Sequence, residues 1–529
     1  MELLIFSVCT ALFILAAVMS SLTQIHMFQL NGYHPFVQLK WIGGHIVSVI
    51  TNLYALVFCA AAVVTGLGRG GNQTAILVIH IMFSAAFIMF ALSNLPKKKA
   101  KKPLVFTARV KRMYCAYTVL LAATAAAAAL LYAKTGAWIG YAVLFAGYFL
   151  IPLLVLLANL ICAPIEALVR RYYINDAKKT LAECPELCVV GITGSYGKTS
   201  MKFFLTTILK RKYNVLMTPE SYNTPMGVVK TVRGSLRGYH EIFVCEMGAK
   251  KVGEIKELCD IVSPRHGIVT SIGPQHLESF RTVENVIKTK FELCSNLNGG
   301  KAFVNIDNEY IRENRPAGTV TYGTSADADY RATVLSVDRS GTSFSVAYPD
   351  GESVEFKTAL IGGHNVVNLC GAVAMADFIG VSKSEAVEGV AHISPVPHRL
   401  QLLEKGGVTV IDDAFNSNPS GCKAALDALA LFNDSYKVIV TPGMVELGQK
   451  EAELNTVFGT QIAAVCDYAV LVGEKRSEPI MKGLLSAGFD KEKIFVASDV
   501  NTGIAKAYSV SPDRSERVIL LENDLPDNY

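Results

Sequence analysis

Two kinds of hydrophobic patterning meet near residue 165. Before it, apolar residues run almost unbroken over 3–22, 46–66, 75–95, 115–133 and 138–162. Each stretch approaches the ~20 residues a helix needs to cross the hydrocarbon core of a bilayer, so five membrane spans are predicted. The first lacks a basic leader and more spans follow it, so it reads as a span rather than a signal peptide. From residue 187 onward, short apolar runs alternate with longer amphipathic ones. "LCVVGIT", "EIFVCE", "HGIVTS" and "KAFVNI" have the continuous Val/Ile character of buried parallel strands, and the alternation predicts a doubly wound α/β sheet. "GTSFSVAYPDGESVEFKTAL" instead alternates with period two around Pro349, Asp350 and Gly351, which predicts a small antiparallel insert with a tight turn. After Pro397 a second α/β series begins with "VTVIDD", "KVIVTP", "DYAVLVG", "KIFVAS" and "RVILLEN". The expected organisation is an α-helical membrane domain (1–165), a linker (166–186), an α/β domain (187–394) and a second, Rossmann-like α/β domain (395–529).

Composition sharpens this division. Of the 529 residues 51% are hydrophobic and 18% charged, and the apolar excess lies before residue 165. The net charge of +5 comes largely from one cluster, "PKKKAKKPLVFTARVKR", so nucleic-acid binding is not indicated. Lysine and arginine concentrate in cytoplasmic loops. The cluster joins the third and fourth spans, and Arg170 and Arg171 follow the fifth, while the opposite loops carry only Arg69 and Lys134. The expected topology is a multi-pass cell-membrane protein with an outside N-terminus and cytoplasmic α/β domains. Loop 24–45, rich in aromatic and polar residues, is then also cytoplasmic, as an interfacial belt or a substrate-contacting surface. The 12 cysteines are scattered and read as reduced thiols.

The chemistry starts at "GITGSYGKTS", residues 191–200, between a predicted strand and a predicted helix. Glycines there let backbone N–H groups turn onto phosphate oxygens, and the helix N-terminus adds its positive end. Gly194, Ser195, Gly197, Lys198, Thr199 and Ser200 form the candidate phosphate loop. Lys198 reaches the terminal phosphates and the Thr199 hydroxyl suits Mg²⁺. The spacing departs from the generic pattern, since five residues rather than four separate Gly191 from the Gly-Lys pair. Glu246 closes the strand "EIFVCE" and is expected at the carboxyl edge of the sheet, beside that loop. Mg²⁺ takes one or two carboxylates plus phosphate oxygens, so Glu246 is a candidate ligand.

"GITGSYGKTS" resembles the phosphate loop of the Mur ligase family, which has this longer spacing. Further likenesses are "YNTPMGV", "EMGAKKVGEI", "TSIGPQHLESFRTVENVIKTKFEL", "GGHNVVNLCGAVA", "PHRLQ", "IDDAFNSNPSG" and "PGMVELG". The resemblance covers residue 187 to the C-terminus and not the membrane half. It implies a P-loop central domain and an ATP-dependent ligase that joins a carboxylate to an amine through an acyl phosphate. It implies two Mg²⁺ ions, with Thr199, Glu246, His276 and Lys290 at the metals and Lys290 carbamylated. It also implies Asn365 and Asn368 on the adenine edge, Arg399 on the γ-phosphate, and Asp412 and Asn416 in the segment that closes over the nucleotide. Turn capping is the plain alternative for Asp412, Asp413, Asn416 and Asn418. The implied substrates are a cell-wall precursor and an amino acid or a D-Ala-D-Ala-like dipeptide; the predicted spans add the lipid bilayer as a further partner. Polyglutamate-type ligation is an alternative within the family. An ATP-driven transporter or flippase is the alternative from another class, and the shortage of charged residues in the spans speaks against it.

Overall fold

The computed structural model describes residues 2–44, 103–135, 137–275, 277–405, 408–414, 418–445, 447–510 and 516–523, with six single positions between 78 and 92. Chain contacts separate Met1–Arg171 from Tyr172–Leu525.

In the first unit, helices run over Glu2–Leu30, Pro35–Gly44, Ala108–Thr135 and, through the unit's end, Ala137–Ala182. Three of them hold segments long and apolar enough to cross a membrane: Phe6–Leu30, Ala108–Lys134 and Leu150–Ala182. The expected spans at 46–66 and 75–95 lie outside the described residues. Two expectations need correction. The first helix does not stop at residue 22, and within 24–44 the chain is helical on both sides of a short turn rather than a loop throughout. Nothing between residues 22 and 30 breaks a helix, so it continues to Leu30; Gly32 (φ 62°) and Tyr33 (φ 60°) then turn the chain into Pro35–Gly44. Most of the 166–186 segment is helical, because the last helix carries on unbroken to Ala182, past Pro152 and Pro164. The core of this unit is aromatic and small. Phe6, Phe13, Phe28 and Tyr117 interleave with Ala16, Ala17, Ala128 and Ala158, and the Tyr117 hydroxyl donates to the Ala17 carbonyl at 3.0 Å.

The second unit contains two sheets. The first has nine strands: β1 (Cys188–Thr193), β2 (Val215–Met217), β3 (Ile242–Glu246), β4 (His266–Val269), β5 (Ala302–Asn305), β6 (Val320–Gly323), β7 (Tyr330–Asp338), β8 (Gly341–Ala347) and β9 (Ser353–Thr358). Their order is β2-β3-β1-β4-β5-β6-β7-β8-β9. Pairing is parallel as far as β7 and antiparallel from β7 through β9. The period-two segment therefore forms an antiparallel hairpin as expected, but it extends the main sheet and is not a separate insert. Helices Lys198–Leu209 and Gly363–Ile379 share one apolar core with one face of the sheet, through Met201, Phe204, Val366 and Leu369. Helices Pro225–Ser235, Glu254–Val262 and Val283–Ser295 cover the other face through Val229, Ile255 and Leu293.

The second sheet has β10 (Gln401–Lys405), β11 (Val408–Asp413), β12 (Tyr436–Thr441), β13 (Tyr468–Val472), β14 (Ile494–Ala497) and β15 (Arg517–Glu522). Their order is β10-β11-β15-β12-β13-β14. Five strands are parallel and β10 is an antiparallel edge. The carboxyl ends of the three central strands β11, β15 and β12 therefore sit side by side, which is where open parallel sheets gather ligands.

Candidate active site

The loop after β1 is shaped by two glycines. Gly194 (φ 150°) lies so close to Thr270 that a Cβ would come within 2.1 Å of the Thr270 hydroxyl oxygen. Gly197 (φ 79°) is the left-handed cap of helix Lys198–Leu209. The turn after β4 clamps this loop. The Ser195 amide donates to the Ser271 carbonyl (2.6 Å), the Thr270 hydroxyl donates to the Tyr196 carbonyl (2.5 Å), and the Gly273 amide donates to the Ser195 hydroxyl (3.1 Å). Thr270, Ser271 and Gly273 are thus structural partners of the phosphate loop; they open the segment "TSIGPQHLESF", in which only His276 was singled out from the sequence.

Lys198 folds back over the loop and donates to the carbonyls of Gly194 (2.8 Å) and Ser195 (2.9 Å). Its burial, and the positive charge of Arg399, bring its amine down to about 8 despite the opposing pull of Glu246. Ser200 follows in the first helical turn. Thr199 is buried, and its hydroxyl donates to Glu246 Oε1 at 3.2 Å. Glu246 ends β3, is 1% exposed, and also accepts from the Asn223 amide at 3.0 Å. Its other oxygen lies 3.0 Å from the ammonium of Lys202, which is itself fully buried. Burial pushes the Glu246 carboxyl up, but Lys202, Lys198 and Asn223 together outweigh it and hold the group below the usual carboxylate range. Lys202 sits one helical turn beyond Lys198 and also donates to the Glu220 carbonyl. It is a functional neighbour that sequence reasoning missed.

The donor set suits Mg²⁺. Thr199 and Glu246 offer hard oxygens beside a phosphate loop, and among the described residues no cluster of three or more acidic, histidine or cysteine side chains forms a closed cage. That is the open arrangement Mg²⁺ adopts when phosphates complete its shell. His276 lies outside the described residues. Lys290 is 2% exposed on helix Val283–Ser295. Burial, and then the positive charge of Lys198, drive its amine well below the ordinary lysine range, against the weaker pull of Glu254 and Glu292. Glu292 is not its salt-bridge partner. It accepts instead from the backbone amides of Gly253 (2.7 Å) and Lys256 (2.9 Å) at the start of helix Glu254–Val262.

Asn368 approaches the cap glycine, with Oδ1 at 3.0 Å from where a Gly197 Cβ would stand. Asn365 is buried and donates to the Ile361 carbonyl at 2.9 Å. Residues 200 positions away complete the cluster: Arg399 Nη2 donates to the Thr199 hydroxyl at 3.2 Å. Arg399 stands between two non-glycine residues with left-handed backbone, His398 (φ 59°) and Leu400 (φ 47°). Such positions cost roughly 1 kcal/mol or more each and persist where their surroundings enforce them. Two aspartates at the end of β11 do so. Asp412 pairs with His398 Nδ1 at 2.8 Å, and Asp413 accepts from the Leu400 amide at 3.1 Å. Burial pushes the Asp413 carboxyl up to about 6, although the Leu400 amide and Arg399 resist. Asp412 thus anchors the segment that carries Arg399. Asn416 lies outside the described residues, and Asn418 caps helix Pro419–Ala430 by accepting from the Gly421 amide at 3.0 Å. Nearby, Asn455 bonds both backbone groups of Met444 (2.9 and 3.0 Å), and Asn523 donates to the Gly443 carbonyl at 2.6 Å. These two asparagines brace the turn after β12 and were not legible as site residues.

Comparison with known proteins bears on this arrangement. Residues 192–376 match the Mur ligase middle domain, and residues 398–521 match the Mur ligase, glutamate ligase domain. The chain is 29% identical over 309 residues to a UDP-N-acetylmuramoyl-tripeptide–D-alanyl-D-alanine ligase of Bacillus subtilis, covering 58% of this chain and 66% of that protein. It is 32% identical over 297 residues to the Escherichia coli ligase of the same name, covering 54% of this chain and 65% of that one. The chain thus spans just under two thirds of the length of these relatives. Among solved structures it is similar to MurF from Acinetobacter baumannii (TM-score 0.59, 26% identity, 67% of this chain and 77% of that one). It is also similar to the MurF ligase of Thermotoga maritima in complex with ADP (TM-score 0.58, 27% identity, 67% and 80%).

Proposed function

We propose, for a chain that belongs to the Mur ligase family through residues 192–376 and 398–521, an ATP-dependent ligation that joins an amine to the carboxylate of a cell-wall precursor. The observation that carries the reading is the convergence of Lys198, Thr199, Glu246 and Arg399 on one loop, sealed by the Arg399–Thr199 contact at 3.2 Å. Phosphoryl transfer asks a protein mainly to position its reactants and to neutralise charge. Lys198 needs only to exchange two loop carbonyls for phosphate oxygens. Arg399 would grip the γ-phosphate with its planar fork. The substrate carboxylate attacks that phosphorus, ADP leaves, and the amine then displaces phosphate from the acyl phosphate. Magnesium, held through Thr199 and Glu246, would neutralise phosphate charge; the family's second-metal positions fall on His276 and Lys290. A buried lysine amine without its proton is the form that adds CO₂, and a carbamate at Lys290 would turn a cation into an oxygen ligand.

The likeness to D-alanyl-D-alanine ligases supports D-Ala-D-Ala as the amine and a muramyl tripeptide as the carboxylate. The apolar helices of the first unit support a membrane location, with the α/β unit on the cytoplasmic side. The test is a mass-spectrometric product assay with the full chain in detergent, ATP, Mg²⁺ and UDP-linked muramyl tripeptide. It compares D-Ala-D-Ala with D-Ala, L-Ala and L-Glu. A pentapeptide product with ADP release from D-Ala-D-Ala alone is expected. Faster ligation of L-Glu would move the reading to polyglutamate-type chemistry, and ATP hydrolysis with no amide product from any pair would end it.

A further inference from the structure

Charge in the N-terminal unit is unbalanced in a specific place. Between Leu3 and Ile165 the chain contains no Asp or Glu, yet it carries Arg109, Lys111 and Arg112 at the head of helix Ala108–Thr135. Glu166 is the first acid after that stretch, and Arg112 takes it in a two-pronged pair at 2.7 and 3.0 Å. Arg109 is left without a carboxylate among the described residues. Its guanidinium lies 3.9 Å from the centre of the Tyr33 ring. Its Nη2 reaches Asn159 Oδ1 at 3.5 Å, and Asn159 is only 6% exposed. Its Nε is buried without an acceptor among the described residues. A second buried polar group is near by. Tyr117 pairs with Ala17 and the Val105 amide with the Gln29 side chain, so Gln24 falls between these levels of the bundle; it is 7% exposed, and its amide oxygen has no partner there.

An arginine held on an aromatic face, with an unanswered donor and no counter-charge among the described residues, is arranged for an anion. The start of helix Ala108–Thr135 adds its positive end to the same place. Independently of the ligase reading, we propose that Arg109, Tyr33 and Asn159 form a binding site for a phosphate group, carried by a lipid headgroup. The neighbouring surface suits a lipid. On the helix of Asn159, Leu153, Leu157, Leu160 and Ile161 are 41–64% exposed, and Phe36, beyond Tyr33, is 86% exposed. Arginine's fork, rather than a point charge, recognises phosphate by geometry, so the site differs from the diffuse attraction that a lysine cluster exerts on anionic membranes.

The test uses the full chain in maltoside micelles, with binding followed by titration calorimetry. The probes are dioctanoyl phosphatidate, inorganic phosphate and, as the uncharged control, dioctanoylglycerol. Arg109→Gln should weaken phosphatidate binding by about tenfold, the scale of one charge-assisted hydrogen bond. Arg109→Lys should recover part of it, and Lys111→Gln, which removes an equal charge two residues away, should leave it within about twofold of the parent. Arg109-dependent binding of phosphatidate but not of inorganic phosphate supports the lipid source; equal Arg109-dependent binding of both supports the same site with a soluble occupant. Equal losses in Arg109→Gln and Lys111→Gln, or none in either, overturn the proposal and leave only diffuse charge. If Arg109→Gln fails to fold, Tyr33→Leu keeps every charge in place. A severalfold loss of phosphatidate affinity in that variant supports the site, and an unchanged affinity overturns it.

Discussion

Removing Lys202 offers a direct measure of how the candidate site is held. Lys202 and Glu246 form an ion pair at 3.0 Å with side chains 0% and 1% exposed. Two charges taken out of water are each expensive, and here they answer one another. Glu246 keeps two further donors, Asn223 at 3.0 Å and Thr199 at 3.2 Å, but neither carries a full charge. Lys202→Met therefore strands a carboxylate inside the protein. The expected loss is ~3–5 kcal/mol, the range for breaking a buried pair from one side. Lys202→Met combined with Glu246→Gln removes both charges, and most of that loss should return, because a neutral amide still accepts from Thr199. Tryptophan fluorescence is the wrong probe, since Trp41 and Trp138 are the only two tryptophans and both lie in the first unit. Cys245, Cys259 and Cys370 are buried in the second unit, so the rate of thiol labelling against urea concentration reports its unfolding. A single-variant loss below about 1 kcal/mol, or a double variant no more stable than the single one, would refute the reasoning.

Three further outcomes follow from the geometry. With the Lys198 amine at about 8, nucleotide binding, which needs the charged form, should take up almost no proton at pH 7 and about 0.9 at pH 9, and affinity should fall as pH rises through 8; calorimetry in buffers of different ionisation enthalpy reads this directly, and equal uptake at both pH values would contradict it. Arg399→Ala should lower kcat by several hundredfold, about 3–4 kcal/mol, with a much smaller change in the dissociation constant for ADP, because its contact is with the Thr199 end of the loop. Lys290→Gln should abolish a carbamate resonance seen by NMR in ¹³C-bicarbonate, while in CO₂-free buffer the thiol-labelling midpoint stays within about 1 kcal/mol of the parent, since burial already disfavours a charge on this amine and the amide brings none; a persisting resonance would place the carbamate elsewhere.

Periodicity and local motif chemistry made much of this protein legible in one dimension. The strands β1, β3, β4, β5, β11, β12, β13 and β15 announce themselves as continuous apolar runs, because strands buried on both faces tolerate little else, and the half-buried edge strand β14 shows the same run. The phosphate loop was legible because its glycines and Lys198 act within ten residues of chain. Short or half-exposed strands were not: β2 has three residues and β7 shows a mostly exposed pattern, so neither presents an apolar run. The hairpin β8–β9 was readable as a hairpin, but its continuity with the main sheet depends on pairing with β7. Helix ends in the first unit escaped as well, since hydropathy marks where lipid ends and not where the backbone stops coiling. Only the fold could bring Arg399 to Thr199, bury Lys202 against Glu246, or show that Asp412 holds His398. Those contacts link positions 14 to 200 residues apart, and sequence carries no direct record of which buried charges face each other. Burial itself decides the chemistry there: the same lysine side chain is an ordinary cation on a surface and, at Lys290, an amine driven toward its neutral form.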